Sequence, residues 1–504
     1  MARSEVKWGA VLSYVLIVVN SVYGMVISPY ILSTIGVSEY GVYKTIGAMT
    51  ATISVMELGL GGTMQRFLAK YRALKDDRGC YNFSAMCMLL AAGLSCAMAL
   101  IGVALYPSVE LVYGGSFTPA ELVRAKQIYW VLIAYVSLHI FENVFFGVIA
   151  GHNRFIFSNS VKLGSILMRI LLYLVILPML RSALTIVCVS VALEILVIAV
   201  EYLYIRMKLH HKMHLYRWDG PAFREAFSYT ILLFIQSLII QFNGNIDNMV
   251  IGAVIGTSAV TVYSFAIQIF NMYEQCATSV SGVLLPNVTN MICNGAGPRE
   301  LETLVVKYGR VQWMVLGAAL GGFLCLGREF FGLWLGDGFT DSYLLALILM
   351  VPVTFPLVVN VCLAILKAKN LLGFRTLSLA CSTVLNGILT ILGTRIWGYW
   401  AAAVGTAVST LLGSVVALNI YYKVKLEMDV FKLYLKIFHK ITPCILIACV
   451  VVWLLNGWIG GSWPAFLLKA GIFMGIYGAA MLSFGMTAQE KQMLRLRRGH
   501  RSKG

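Results

Sequence analysis

Charged residues are scarce in this chain: Asp, Glu, Lys and Arg make up 12% of its 504 residues, against the ~25% of an average soluble domain. That scarcity excludes an ordinary water-soluble fold. Proline is also sparse, with 11 residues, so long helices can run with few interruptions. The 11 cysteines include no C-x-x-C pair, and neither a disulfide framework nor a zinc site is expected. G-x-x-x-x-G-K-[ST] and H-E-x-x-H are both missing, so nucleotide hydrolysis and zinc-peptidase chemistry have no sequence support and the chain reads as a non-enzyme. The stretch "LGLGG", Leu58 to Gly62, resembles a phosphate loop only superficially and reads as close helix packing. In "HHKMH", His210 to His214, histidines stand without nearby carboxylate or thiolate ligands, which reads as a solvated basic loop rather than a metal site.

What is abundant is apolar surface. Hydrophobic residues make up 59% and the mean hydropathy is +0.82. A spanning helix needs ~20 apolar residues to cross a ~30 Å hydrocarbon core, and such runs fill nearly the whole chain. An all-α polytopic membrane protein of about fourteen transmembrane helices is expected, at 9–34, 39–62, 82–106, 126–150, 157–180, 184–206, 226–254, 258–284, 310–330, 343–366, 375–394, 399–422, 441–459 and 465–486. The first is too long for the core of a cleaved signal peptide and carries Asn20 and Pro29.

The net charge of +17 is distributed unevenly. Of 39 Lys and Arg, 30 fall in the N-terminus, the even-numbered loops and the tail, 5 in the odd-numbered loops, and Lys44, Lys162, Arg169 and Lys469 inside spans. Such a bias predicts both termini in the cytoplasm. The tail "KQMLRLRRGHRSK" then reads as an orientation signal that meets anionic headgroups, with no nucleic-acid partner.

"IGVSEYGVY", Ile35 to Tyr43, recurs as "IGTSAVTVY", Ile255 to Tyr263, an offset of 220. Ser13-Tyr14 recurs as Ser228-Tyr229, offset 215, and "LVYGGSFT", Leu111 to Thr118, resembles "LWLGDGFT", Leu333 to Thr340, offset 222. Three collinear matches predict a duplicated six-helix unit. The expected organisation is an N-terminal lobe at 1–206, a cytoplasmic linker at 207–225, a C-terminal lobe at 226–422, extra helices 13 and 14 at 423–486 and a basic tail at 487–504. Six helices per unit preserve topology, so the lobes are parallel repeats about a pseudo-two-fold along the membrane normal, with the substrate path at their interface.

The runs "SPYILSTIGVSEYGVY", "DNMVIGAVIGTSAVTVYSFAIQI" and "WGYWAAAVGTAVS" resemble the polysaccharide flippases (Wzx-type, for O-antigen or capsule repeat units) of the multidrug and oligosaccharidyl-lipid exporter superfamily. The resemblance implies alternating access and movement of an undecaprenyl-diphosphate-linked oligosaccharide from the inner to the outer leaflet of a bacterial cytoplasmic membrane. It implies membrane lipids and polysaccharide polymerase and chain-length proteins as partners, and no cofactor beyond coupling protons or sodium ions. A cation-coupled multidrug antiporter and a non-transporting scaffold of a glycan-assembly complex are the alternatives.

Ionisable and amide side chains inside the spans are the candidate site residues. Arg169 can offer its planar fork to a diphosphate, or pair with Glu194 at equal depth on the next helix. Gln236, Asn243 and Asp247 share one face of helix 7, and Gln268, Asn271 and Gln275 one face of helix 8, as two walls of a cavity. Glu142 is a further cavity residue. Asp247, Glu274 and Glu142 are candidate ion-coupling carboxylates. Lys44, Glu57, Lys162 and Glu201 lie near span ends and read as snorkelling. Pro352 and Pro356 are expected to kink helix 10, with Asn360 near a freed carbonyl. Deep carboxylates outnumber deep bases, which favours a neutral glycan.

Overall fold

One residue, Gly36, separates the helix Ala2–Ile35 from the helix Val37–Ile53 in the computed structural model. Its φ of 87° is open to glycine because there is no Cβ to clash. The repeated corner behaves alike: Gly256, with φ 115°, stands between Gly220–Val254 and Thr257–Ser281. Gly36 N donates to Leu32 O at 2.9 Å and Gly256 N to Ile251 O at 3.2 Å. The next helix then starts in the same way, Tyr40 N donating to Gly36 O at 3.2 Å and Val260 N to Gly256 O at 3.4 Å. The recurrent Ile-Gly of the sequence is therefore a helix stop used twice. The third sequence match also has a common local form, since Phe117 and Phe339 are 6% and 7% exposed just ahead of Thr118, which caps a helix, and Thr340, which opens one.

The structure describes residues 2–53, 60–281, 288, 290–292, 294–369, 371–456, 458–487 and 490–491. In chain order the helices are α1 Ala2–Ile35, α2 Val37–Ile53, α3 Leu60–Ala73, α4 Asp77–Tyr113, α5 Pro119–Gly151, α6 Phe155–Leu180, α7 Ala183–Met207, α8 Gly220–Val254, α9 Thr257–Ser281, α10 Pro298–Leu335, α11 Thr340–Val358, α12 Val361–Ala368, α13 Gly373–Trp397, α14 Trp400–Leu426, α15 Val430–Phe438, α16 Ile441–Leu455 and α17 Trp463–Ala480. No strand occurs among the described residues. Among the described residues ten helices are long and apolar enough to cross a membrane, and α15 with α16, bent by 46°, makes an eleventh. The remaining expected spans, 39–62, 226–254 and 258–284, are helical over α2, α8 and α9.

The chain folds into two compact units, Met1–Ser264 and Phe265–Gly504. In the first unit α5 packs on α3, α4 and α7, and α2 packs on α8. Small residues let these backbones approach: a Cβ on Gly41 would collide with the Thr257 carbonyl, and one on Gly147 would stand 2.6 Å from Gly61 O. Gly61, the described part of the glycine-rich stretch with Leu60 and Gly62, is thus a packing residue. Because α8 lies against α2, this compact unit runs past the linker at 207–225 as far as Ser264. In the second unit α13 packs on α14, α10 on α11 and α16, and α16 on α17.

Helix α11 continues through Pro352 and Pro356 and breaks only after Val358, before α12 resumes at Val361. The helix assignment is interrupted just after the two prolines, at Val359 and Asn360. Asn360 acts there through its backbone, N donating to Leu357 O at 3.2 Å, and Tyr434 Oη donates to Phe355 O at 3.2 Å.

Candidate functional site

Three helices of the first unit enclose a cavity of about 450 Å³. Helix α2 contributes Tyr43, Lys44, Gly47, Ala48, Thr50 and Ala51, α5 contributes Tyr135 and His139 among its lining residues, and α8 contributes Asn245 and Asn248. On each helix the spacing is three to four residues, which puts the contributors on one face. Lys44 stands seven residues from the start of α2, about 10 Å along the helix from the Gly36 corner. Its Nζ lies 5.3 Å from the Tyr40 ring centroid and 5.8 Å from that of Tyr43, a cation–π arrangement that steadies a charge held away from bulk water. The snorkelling expected of Lys44 is therefore replaced by a place on the cavity wall. The lysine chain is directed by aromatic neighbours that helix depth alone does not reveal.

The amide wall also differs from expectation. Asn243 and Asp247 do not line this cavity; Asn245 and Asn248 do. Asp247 is 3% exposed and its Oδ2 accepts from Tyr263 Oη at 2.6 Å, because the tight Gly256 corner brings α9 back alongside α8. Asn243 is half-buried, and the Gln236 side chain lies outside the described residues. In α9, within the second unit, Asn271 and Gln275 are exposed, whereas Gln268 and Glu274 are half-buried. Glu57 lies outside the described residues.

Arg169 is half-buried on α6, within electrostatic reach of Tyr173, Tyr23, Tyr135 and Tyr43. Its Nε is buried without a hydrogen-bond partner. Tyr43 and Tyr135 line the cavity, so the guanidinium lies within electrostatic reach of two of its wall residues. The pair expected between Arg169 and Glu194 does not form. Glu194 Oε1 instead meets His139 Nδ1 at 2.7 Å, since equal depth on neighbouring helices leaves the direction of each side chain open.

Around that contact lies a second polar group. Glu142 Oε2 is 3.8 Å from His139 Nδ1, and both carboxylates are nearly buried, at 5% and 6% exposure for Glu142 and Glu194. Glu201, two turns along α7 from Glu194, is 0% exposed, and neither carboxylate oxygen has a hydrogen-bond partner. It lies within electrostatic reach of Glu142, Lys162, Glu194 and His139. Lys162 Nζ sits 4.1 Å from the Phe146 ring centroid. The snorkelling expected of Glu201 and Lys162 is overturned: α5, α6 and α7 close around them. His139, Glu142 and Glu194 present ligand atoms within 4.8 Å of one another and could hold a metal ion. His139 was legible three residues before Glu142 on the same helical face, whereas the tyrosines were hidden in the hydrophobic count.

The "HHKMH" loop is not wholly solvated. His211 is 3% exposed, its Nε2 is 2.9 Å from Ser84 Oγ, and its ring stacks edge-on against Tyr81 and His152 at 5.0 and 5.2 Å. Burial, then His152 and Arg72, push its pKa down to about 4. Asn82 Oδ1 anchors the same linker by accepting from Tyr216 N and Arg217 N at 2.9 and 3.0 Å.

The family model described as "Polysaccharide biosynthesis protein" matches residues 7–291. No curated protein matches the chain by sequence. Among solved structures the chain is similar to the lipid II flippase MurJ in an inward closed conformation, with a TM-score of 0.71 and 14% identity over 94% of this chain and 97% of that one. It is also similar to an inward-facing multidrug resistance MATE family transporter of the MOP superfamily, with a TM-score of 0.61 and 14% identity over 82% and 94%. A mutant of the Vibrio cholerae MATE transporter VcmN matches with a TM-score of 0.57 and 11% identity over 85% and 98%. At these identities the likeness is one of fold.

Proposed function

The chain belongs to the polysaccharide biosynthesis protein family, as a multi-pass membrane protein with a flippase and transporter fold, and on that premise we propose that it flips undecaprenyl-diphosphate-linked oligosaccharide units across a bacterial cytoplasmic membrane. The observation that carries this reading is Lys44 on the wall of a cavity that also presents Tyr43, Tyr135, Asn245 and Asn248. A sugar diphosphate cannot cross hydrocarbon without polar partners. The ammonium of Lys44 and, within electrostatic reach of the tyrosines, the fork of Arg169 supply phosphate partners, and the amide and phenol groups supply partners for sugar hydroxyls.

In this reading the two six-helix repeats, 1–206 and 226–422, alternate access while the lipid tail stays in the bilayer. Both termini face the cytoplasm, and the products serve polysaccharide polymerase and chain-length proteins. Asp247, Glu274 and Glu142 couple the cycle to protons or sodium ions. Carboxylates outnumber bases among the deep charged residues, which suits a glycan without acidic sugars.

Deleting the gene tests this: surface polysaccharide should disappear and lipid-linked units should accumulate, with rescue by the intact gene and not by Lys44→Ala or Arg169→Ala. Retained export in both variants, with partner proteins still bound, would mean a scaffold. The buried carboxylates and the MATE-like fold support one further reading, a multidrug antiporter, which predicts hypersensitivity to cationic dyes and normal surface polysaccharide after deletion.

A further inference from the structure

Two packed helices of the first unit bring together a donor set of which the proposed function uses only Glu142, as a coupling carboxylate. His139 and Glu142 are three residues apart on α5, and Glu194 and Glu201 seven apart on α7, so each pair lies on one helical face where α5 and α7 pack together. His139 Nδ1, Glu142 and Glu194 offer ligand atoms within 4.8 Å of one another. Independently, both oxygens of Glu201 are buried with no hydrogen-bond partner, on a side chain that is 0% exposed and faces the same group. A buried carboxylate with no donor points to a missing positive partner.

The charges define that partner. Three carboxylates stand within electrostatic reach of one ammonium, that of Lys162, so with His139 neutral the group needs two further positive charges for all three to ionise. We propose that His139, Glu142 and Glu194, with Glu201 as the charge behind them, bind a divalent transition-metal ion of the zinc or manganese class. Two charges match the deficit, and the imidazole nitrogen selects such an ion over sodium or magnesium, which prefer oxygen donors. The distances support the fit. Four-coordinate zinc holds ligands at about 2.0–2.2 Å, and the observed separations of 2.7 and 3.8 Å from His139 Nδ1 reach that geometry with side-chain shifts of about 1 Å. His139 also lines the cavity, which gives the ion an entry path and room for a water ligand. The bound ion clasps α5 to α7. Its test measures metal and not export, so this proposal and the glycan reading fail separately.

The test uses the full chain without a histidine tag, purified into lipid nanodiscs, stripped with chelator and titrated with Co²⁺. The expected result is one ion per chain with visible ligand-field bands, displaced by Zn²⁺ and not by Na⁺ or Mg²⁺. Glu194→Gln and His139→Ala should each weaken binding by at least about tenfold, while Glu110→Gln, at an exposed ion pair, and His210→Gln with His214→Gln in the linker leave it unchanged. If the site variants fail to fold, the displacement series on the wild-type protein decides alone. Absence of stoichiometric Co²⁺ uptake by the folded wild type, loss of uptake in the linker variant, or infrared carboxylic-acid bands showing that protons fill the deficit without metal would overturn the proposal.

Discussion

The two compact units treat buried charge in opposite ways. Among the described residues of the second unit the two buried cations each have a carboxylate: Lys469 Nζ meets Glu329 Oε2 at 2.7 Å, tying α17 to α10, and Arg310 Nε meets Glu490 Oε1 at 2.7 Å, tying the start of the tail to α10. In the first unit the interior charges do not cancel. Glu142, Glu194 and Glu201 crowd one ammonium and one imidazole, while Arg169 leaves its Nε without a hydrogen bond. A matched pair orders two helices; an unmatched group stores affinity for something that arrives from outside. The comparison assigns architecture to the second set and ligand chemistry to the first.

The largest effect is expected where a matched pair is broken. Lys469→Met leaves the half-buried Glu329 without its cation and should destabilise the protein by about 3 kcal/mol, read as a lower unfolding temperature in detergent. Adding Glu329→Leu should restore most of the loss, whereas no restoration would mean that the pair is incidental to the packing of α17. Next in size, Lys44→Ala should reduce glycan export by about tenfold, the loss of one charge-assisted contact, and change stability by less than about 1 kcal/mol. An unfolding temperature that falls as far as that of Lys469→Met would place Lys44 among the architectural charges. Smaller still, Gly41→Ala should cost about 1–3 kcal/mol through the collision with Thr257, while Gly47→Ala, with no atom within 4 Å of the added methyl, should cost far less in the same melting assay.

The smallest effects separate the units by pH. His211 has a folded pKa of about 4, below the usual ~6.5, so the unfolded chain binds more protons between those values and stability falls as pH drops through that window. His211→Gln should flatten this part of the melting profile by about 2–4 °C. Burial raises the Glu490 carboxyl, but the Arg310 guanidinium and the Thr487 N–H together hold it below its usual value. Its contribution is therefore present above about 4.5 and is lost only at lower pH. Glu490→Gln should flatten that more acidic limb and leave the His211 window intact.

Apolar run lengths made the membrane helices legible, and the Ile-Gly repeat located both glycine corners, because glycine at positive φ leaves a mark in sequence. Depth inside a span also marked Glu142 as a candidate residue. What it could not supply was rotation: Arg169 and Glu194 share a depth, yet His139 takes the carboxylate. For the same reason sequence spacing did not single out Asn245 and Asn248, the α8 amides that line the first-unit cavity. Lys44, Lys162 and Glu201 were read from distance to a span end, whereas their surroundings are set by aromatic and acidic residues far away in the chain. His211 shows the reverse error, a polar run whose middle member is held by Ser84 and Tyr81.

The corner at Gly36 leaves a single non-helical residue between α1 and α2. So short a connection has no slack to take up a change in tilt. Any rocking of α1 must pull on the first turn of α2, and Lys44, two turns further along, would travel with it. The hairpin therefore works as a lever whose fulcrum is one backbone unit, and it carries movement at its tip directly to the cation on the cavity wall.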